Sequence, residues 1–140
     1  MQKLTCVLLV DDDPTTNYLN QLLLKRLDVT DKLLVALNGQ EALDLVHEHC
    51  RAATHECPAL ILLDVKMPVM DGFAFLAAYD KLALEHKEAI IIVMLTTSLH
   101  PQDVERVKQL NIAGFLNKPL TEGKLNDVLR TYFDRHLPAH

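Results

Sequence analysis

Acidic side chains occupy the positions where this chain could do chemistry. Asp11-Asp12-Asp13 follows the apolar run Leu4–Val10, and Asp64 follows the apolar run Ala59–Leu63. A hydroxyl cluster, Thr96-Thr97-Ser98, follows Ala89–Leu95, and Asn117-Lys118-Pro119 follows Ile112–Leu116. Carboxylates brought together repel one another and are costly to hold unless a cation neutralises them. A hard, oxygen-preferring divalent ion such as Mg2+ suits that set, with Lys118 supplying a further fixed charge. A carboxylate beside such an ion and an ammonium can act as a nucleophile towards phosphorus, giving an aspartyl phosphate. A nearby hydroxyl and ammonium then hold the phosphoryl oxygens. Singly, each residue has a plainer reading, since acids after strands are common helix caps and Lys-Pro is an ordinary loop. Their joint placement at the strand ends of one sheet is what chance does not explain.

Five apolar runs must do that placing: Leu4–Val10, Leu33–Leu37, Ala59–Leu63, Ala89–Leu95 and Ile112–Leu116. They are rich in Val, Ile and Leu without polar alternation, as strands buried on both faces of a parallel sheet are. Stretches with helical spacing lie between them. Leu19, Leu22, Leu23 and Leu27 share one helical stripe behind Asp13-Pro14, a capping residue followed by a proline suited to the first helical position. Leu125, Val128, Leu129, Tyr132 and Phe133 form another, with Thr121 placed to cap and an end near His136. Weaker patterns cover roughly 39–50, 72–86 and 101–110, the last opening at Pro101. Alternating strands and helices with right-handed crossovers give an α/β fold: a doubly wound, five-stranded parallel sheet with helices on both faces. Ligands of such sheets bind beyond the carboxyl ends of the strands, where the acids lie.

The 140 residues suit one domain, 49% hydrophobic and 24% charged, which excludes a wholly disordered chain. A net charge of -5, with no basic block longer than Lys25-Arg26, argues against a nucleic-acid partner. No apolar run approaches the roughly 18–20 residues of a membrane span, so no membrane partner is expected either. The amino terminus lacks the pattern of a secretory signal, and Cys6, Cys50 and Cys57, an odd number, do not look like a disulfide framework. A reducing cytoplasm is the expected location. His47, His49, Cys50, His55 and Cys57 crowd together with side chains that zinc accepts, but their spacing matches no common finger or ribbon. A solvated helix end, with Cys50 or Cys57 tucked against the sheet edge, is the favoured reading there.

The stretches Val7–Pro14, Leu60–Gly72 (with Asp64-Val65-Lys66-Met67-Pro68-Val69-Met70-Asp71-Gly72), Val93–Ser98 and Gly114–Leu120 resemble the CheY-like receiver domain of two-component response regulators. The resemblance implies a flavodoxin-like sheet in strand order 2-1-3-4-5. It implies that Asp64 is phosphorylated, that Asp11, Asp12, Asp64 and the Lys66 backbone carbonyl hold Mg2+, and that Thr96 and Lys118 contact the phosphoryl group. Phe115 falls at the aromatic switch position, and Thr97 and Ser98 would modulate access to phosphorus. The chain would then be a phosphoacceptor signalling protein rather than an enzyme acting on other molecules. Its implied partners are a sensor histidine kinase or histidine phosphotransfer protein, and a downstream protein bound around the helix expected over 101–110, the fifth strand and the last helix. A stand-alone receiver without an output domain is expected, as a monomer or weak dimer.

Thr97 stands where the family usually has a smaller residue, and Phe115 where it often has tyrosine, so the inward position of Phe115 is expected to be well populated without phosphate. The segment 47–58 looks longer than the family norm. A rival resemblance, to haloacid-dehalogenase-like phosphatases, rests on Asp11, Asp13 and Thr15 but leaves Asp64 and the Met-Pro-Val-Met-Asp-Gly turn unexplained.

Overall fold

The computed structural model describes residues 3–50, 57–83, 89–97, 105–106, 109–110, 112–135 and 137. Five strands, β1 (Leu4–Val10), β2 (Thr30–Ala36), β3 (Leu60–Asp64), β4 (Ile91–Thr96) and β5 (Gly114–Asn117), form one sheet in the order β2-β1-β3-β4-β5. Every neighbouring pair is parallel. β3 and β4 extend to include the polar residues expected just beyond them, Asp64 and Thr96. Burial on both faces holds for β1, β3 and β4. It fails for β2 and β5, because each lies at an edge with one side unpaired.

Four helices are described: α1 (Pro14–Leu27), α2 (Gly39–His49), α3 (Gly72–Asp80) and α4 (Glu122–Phe133). Each opens on a short polar cap. The Asp13, Asn38, Asp71 and Thr121 side chains accept from Thr15, Glu41, Ala74 and Lys124 N–H groups. α3 ends at Asp80, short of the expected 86, and α4 ends at Phe133, with Asp134 in the left-handed conformation. Most of the helix expected over 101–110, Pro101 included, lies outside the described residues, though 105–106 are helical.

The leucine stripe assigned to α1 is a correction. Leu27 of that stripe is buried and Leu23 packs partly on the core, but Leu19 and Leu22 are 58% and 46% exposed, and Asn17, Asn20 and Leu24 take the other inward places. The Asp13 cap and an Asn17 side-chain bond to the end of the sheet fix the helix in that rotation.

Because side chains alternate across a strand, the sheet splits the core in two. Leu8, Ile61, Leu63 and Met94 pack on one face with Phe75 and Leu76 of α3 and Val46 of α2. Val7, Leu9, Leu60 and Leu62 pack on the other with Leu24 of α1 and Leu125 and Leu129 of α4.

Cys50 and Cys57 form a disulfide, contrary to the sequence reading. The odd cysteine count concealed one pair and one cysteine outside it, the buried Cys6. Cys50 caps the end of α2 and Cys57 precedes β3, and their Cα atoms lie 4.6 Å apart. His55 lies outside the described residues. With both sulfurs bonded to each other, neither is a thiolate for zinc. No helix among the described residues is long and apolar enough to cross a membrane.

Candidate functional site

β1, β3, β4 and β5 end side by side, Val10 beside Leu63, Asp64 beside Leu95 and Thr96 beside Asn117. The residues at or just beyond those ends therefore meet on one edge. Asp11, Asp12 and Asp64 each place a carboxylate oxygen within 4.8 Å of the others. Asp11 and Asp64 are buried, whereas Asp12 is exposed. Lys118 Nζ lies 2.5 Å from Asp11 Oδ2 and 3.2 Å from Asp64 Oδ1.

Two close approaches hold the rim together. The Gly72 N–H donates to the Val65 carbonyl, and a Cβ at Gly72 would lie 2.5 Å from the Asp64 carbonyl oxygen. The Gly39 N–H donates to the Met70 carbonyl at 2.8 Å, and a Cβ there would lie 2.7 Å from that same oxygen. Only residues without a side chain allow the starts of α3 and α2 to sit so close.

Burial raises the Asp64 carboxyl to about 6, the Asp11 charge adds to the rise, and Lys118 and the Val65 N–H oppose it. Burial lowers Lys118, but its bond to Asp11 and the charges of Asp64 and Asp11 outweigh that, so it is raised overall. Two buried acids, one exposed acid and one ammonium thus leave a surplus of negative charge in a confined space. An all-oxygen donor set of that charge fits a hard divalent cation such as Mg2+.

Asp64 Oδ1 accepts the Val65 N–H at 2.9 Å and faces Lys118, while Oδ2 receives no bond among the described residues. Thr96 is buried at the end of β4, and its carbonyl accepts the Lys118 N–H at 2.7 Å. Thr97 is exposed beside it, and Ser98 lies outside the described residues. The Lys66 side chain is exposed in the loop after β3.

Phe115 departs from expectation. It is 42% exposed rather than turned inward. Alternation along β5 sends Leu116 into the core against the α1 and α4 side of the sheet, which leaves Phe115 on the opposite face of an edge strand. Asp13 is also spent elsewhere than a phosphatase reading needs. Its carboxylate accepts the Thr15 N–H and the Thr16 hydroxyl as the cap of α1. Asn17 was missed altogether, a buried asparagine against the Asp11 carbonyl. A polar residue in helical register with Leu24 and Leu27 was the available signal.

Residues 7–130 match the family described as the response regulator receiver domain. Over 136 residues the chain is 35% identical to the two-component response regulator ARR22 of Arabidopsis thaliana, covering 95% of this chain and 87% of the relative. It is 28% identical to the chemotaxis protein CheY4 of Vibrio cholerae, whose solved structure superposes with a TM-score of 0.73, covering 92% of this chain and 98% of that one. A two component response regulator from Cytophaga hutchinsonii gives a TM-score of 0.84 at 24% identity, covering 96% of this chain and 100% of that one, a likeness of fold.

Proposed function

The chain belongs to the response regulator receiver domain family, a family of signalling phosphoacceptors, and from that premise we propose that it takes a phosphoryl group on Asp64 in a Mg2+-dependent reaction. The observation that carries the assignment is the convergence of Asp11, Asp12 and Asp64 within 4.8 Å, with Lys118 reaching both buried acids. Asp64 is the acid at a strand end whose Oδ2 stays uncommitted. That oxygen bonds phosphorus as the P–N bond of a donor phosphohistidine breaks, and the electron pair returns to the imidazole.

Asp11, Asp12, Asp64 and the Lys66 backbone carbonyl would hold Mg2+, which supplies charge neutralisation at the phosphoryl oxygens. Lys118 leaves its pairing with the Asp64 carboxylate for one phosphoryl oxygen, and the Thr96 hydroxyl takes another. Thr97 and Ser98 flank the approach of water and so set how long the phosphoryl group lasts.

The donor is a sensor histidine kinase or a histidine phosphotransfer protein. A downstream protein reads the surface to which the 101–110 stretch, β5 and α4 contribute. Movement of Thr96 towards the phosphoryl group opens space on the β5 side, into which Phe115 turns from its half-exposed position, changing that surface.

Intact mass after treatment with acetyl phosphate tests the reading. One phosphoryl group should add with Mg2+ present, and none with a chelator. Labelling of Asp64→Asn equal to wild type, or labelling indifferent to the metal, would overturn it.

A further inference from the structure

Asn17 stands where the register of α1 calls for an apolar side chain. It lies one turn into the helix on the face turned to the sheet, 2% exposed. Its Nδ2 donates to the Asp11 carbonyl at 2.8 Å and, at 3.5 Å, to the Ala36 carbonyl. Both neighbours are carbonyls that can only accept, so chemistry fixes which way round the amide stands. Its Oδ1 is then left buried without a donor among the described residues. A buried acceptor without a partner is destabilising, and a leucine, with the same branched skeleton, would carry no such group. The one strong bond of this side chain falls on the peptide that joins Asp11 to Asp12.

That peptide is the hinge of the acid pair. Asp11 is otherwise held on every side. Its N–H donates to the Ala36 carbonyl, Oδ1 accepts the Asp13 N–H at 2.9 Å, and Oδ2 accepts Lys118. Asn17 closes the loop from the helix side, since its own N–H donates to the Asp13 carbonyl at 3.1 Å. Asp12 is exposed, and its carboxylate accepts no hydrogen bond among the described residues. The backbone from which that carboxylate reaches the other acids is therefore set at the 11–12 peptide plane, which Asn17 holds.

We propose that Asn17 is a positioning residue for the cation site, holding the 11–12 peptide so that the Asp12 carboxylate converges with those of Asp11 and Asp64. The proposal rests on the reading of these acids as a Mg2+ site. It assigns Asn17 no contact with the ion. Partners one step removed from metal ligands commonly set the affinity through such orientation.

The test is a Mg2+ titration followed by backbone amide NMR shifts of residues 11–13 and 64–66, alongside thermal unfolding in metal-free buffer. For Asn17→Leu the apparent Mg2+ affinity should fall about tenfold. The metal-free melting temperature should stay near wild type, because loss of the orphaned Oδ1 offsets loss of the donor to the Asp11 carbonyl. Should that variant not fold, Asn17→Ala is read by the same criterion. An affinity within about twofold of wild type in a folded variant overturns the proposal. Losses of stability and affinity in step would mark a merely structural residue, and overturn it too. A wild-type protein that never saturates with Mg2+ would instead sink the cation reading itself, and the role of Asn17 with it.

Discussion

Burial and the neighbouring Asp11 lift the Asp64 carboxyl from an ordinary 3.8 to about 6, so ionising it in the folded chain works against folding. The folded state then holds this proton more tightly than the unfolded state. The stability it confers is full below about pH 4 and is lost as pH rises towards 6. Above that the penalty is constant, on the order of 2–3 kcal/mol for a rise of this size. Asp64→Asn cannot ionise. In metal-free buffer it should unfold at higher denaturant than wild type at pH 8, by roughly 2 kcal/mol, and the gap should close as the buffer is brought to pH 4. Equal gaps at both pH values would mean that the charge on Asp64 is not what strains the site. A bound divalent cation should narrow the gap at pH 8, since it stabilises the ionised wild-type carboxylate and has less to bind in the variant.

At the scale of elements, position follows from how closely backbone can approach backbone. The first turn of α3 sits directly over the end of β3 because Gly72 has no Cβ. One added there would meet the Asp64 carbonyl oxygen at 2.5 Å, with Met94 Cε at 3.0 Å and Val65 Cα at 3.2 Å. Backbone cannot yield as a flexible side chain would, so Gly72→Ala must lift α3 from the strand. A loss of about 1–3 kcal/mol in urea unfolding is expected, together with weaker Mg2+ binding as Asp64 is displaced. Wild-type values for both would show that α3 moves freely.

The same scale decides what could be read from sequence. β1 is legible to the residue, since the run Leu4–Val10 is apolar but for Thr5 and closes at Asp11, as a central strand does. The acids and Lys118 are legible because a strand end is a fixed address in a parallel sheet. The rotation of α1 is not. Its leucines outnumber its inward positions, two asparagines take inward places, and the bonds of one of them, Asn17, to neighbouring strand ends are encoded by no helical periodicity. The exposure of Phe115 is hidden for a related reason, as burial at an edge strand depends on what covers it.

Across the whole molecule, the two ends of the sheet carry different duties. The carboxyl edge holds the acids, Lys118 and Thr96, and the buried charge of Asp64 there opposes stability. The amino edge holds the Cys50–Cys57 disulfide, which ties the end of α2 to the approach of β3 across a sequence separation of 7. A cross-link over so short a loop removes only modest freedom from the unfolded chain, worth about 2 kcal/mol in the chain-entropy view. β3 spans the distance between them, with Leu60 at the disulfide end, Asp64 at the acid end and every residue buried. A fully buried strand paired on both sides is stiff, so slackening at its start should not reach its end. Reduction, or Cys50→Ser with Cys57→Ser, should therefore lower the unfolding free energy by about that 2 kcal/mol while leaving Mg2+ affinity and the rate of labelling by acetyl phosphate at wild-type values. Both are measurable on one sample, with and without reductant. A reduced protein that labels faster or slower would mean that β3 carries a signal along its length, and that the two edges are coupled.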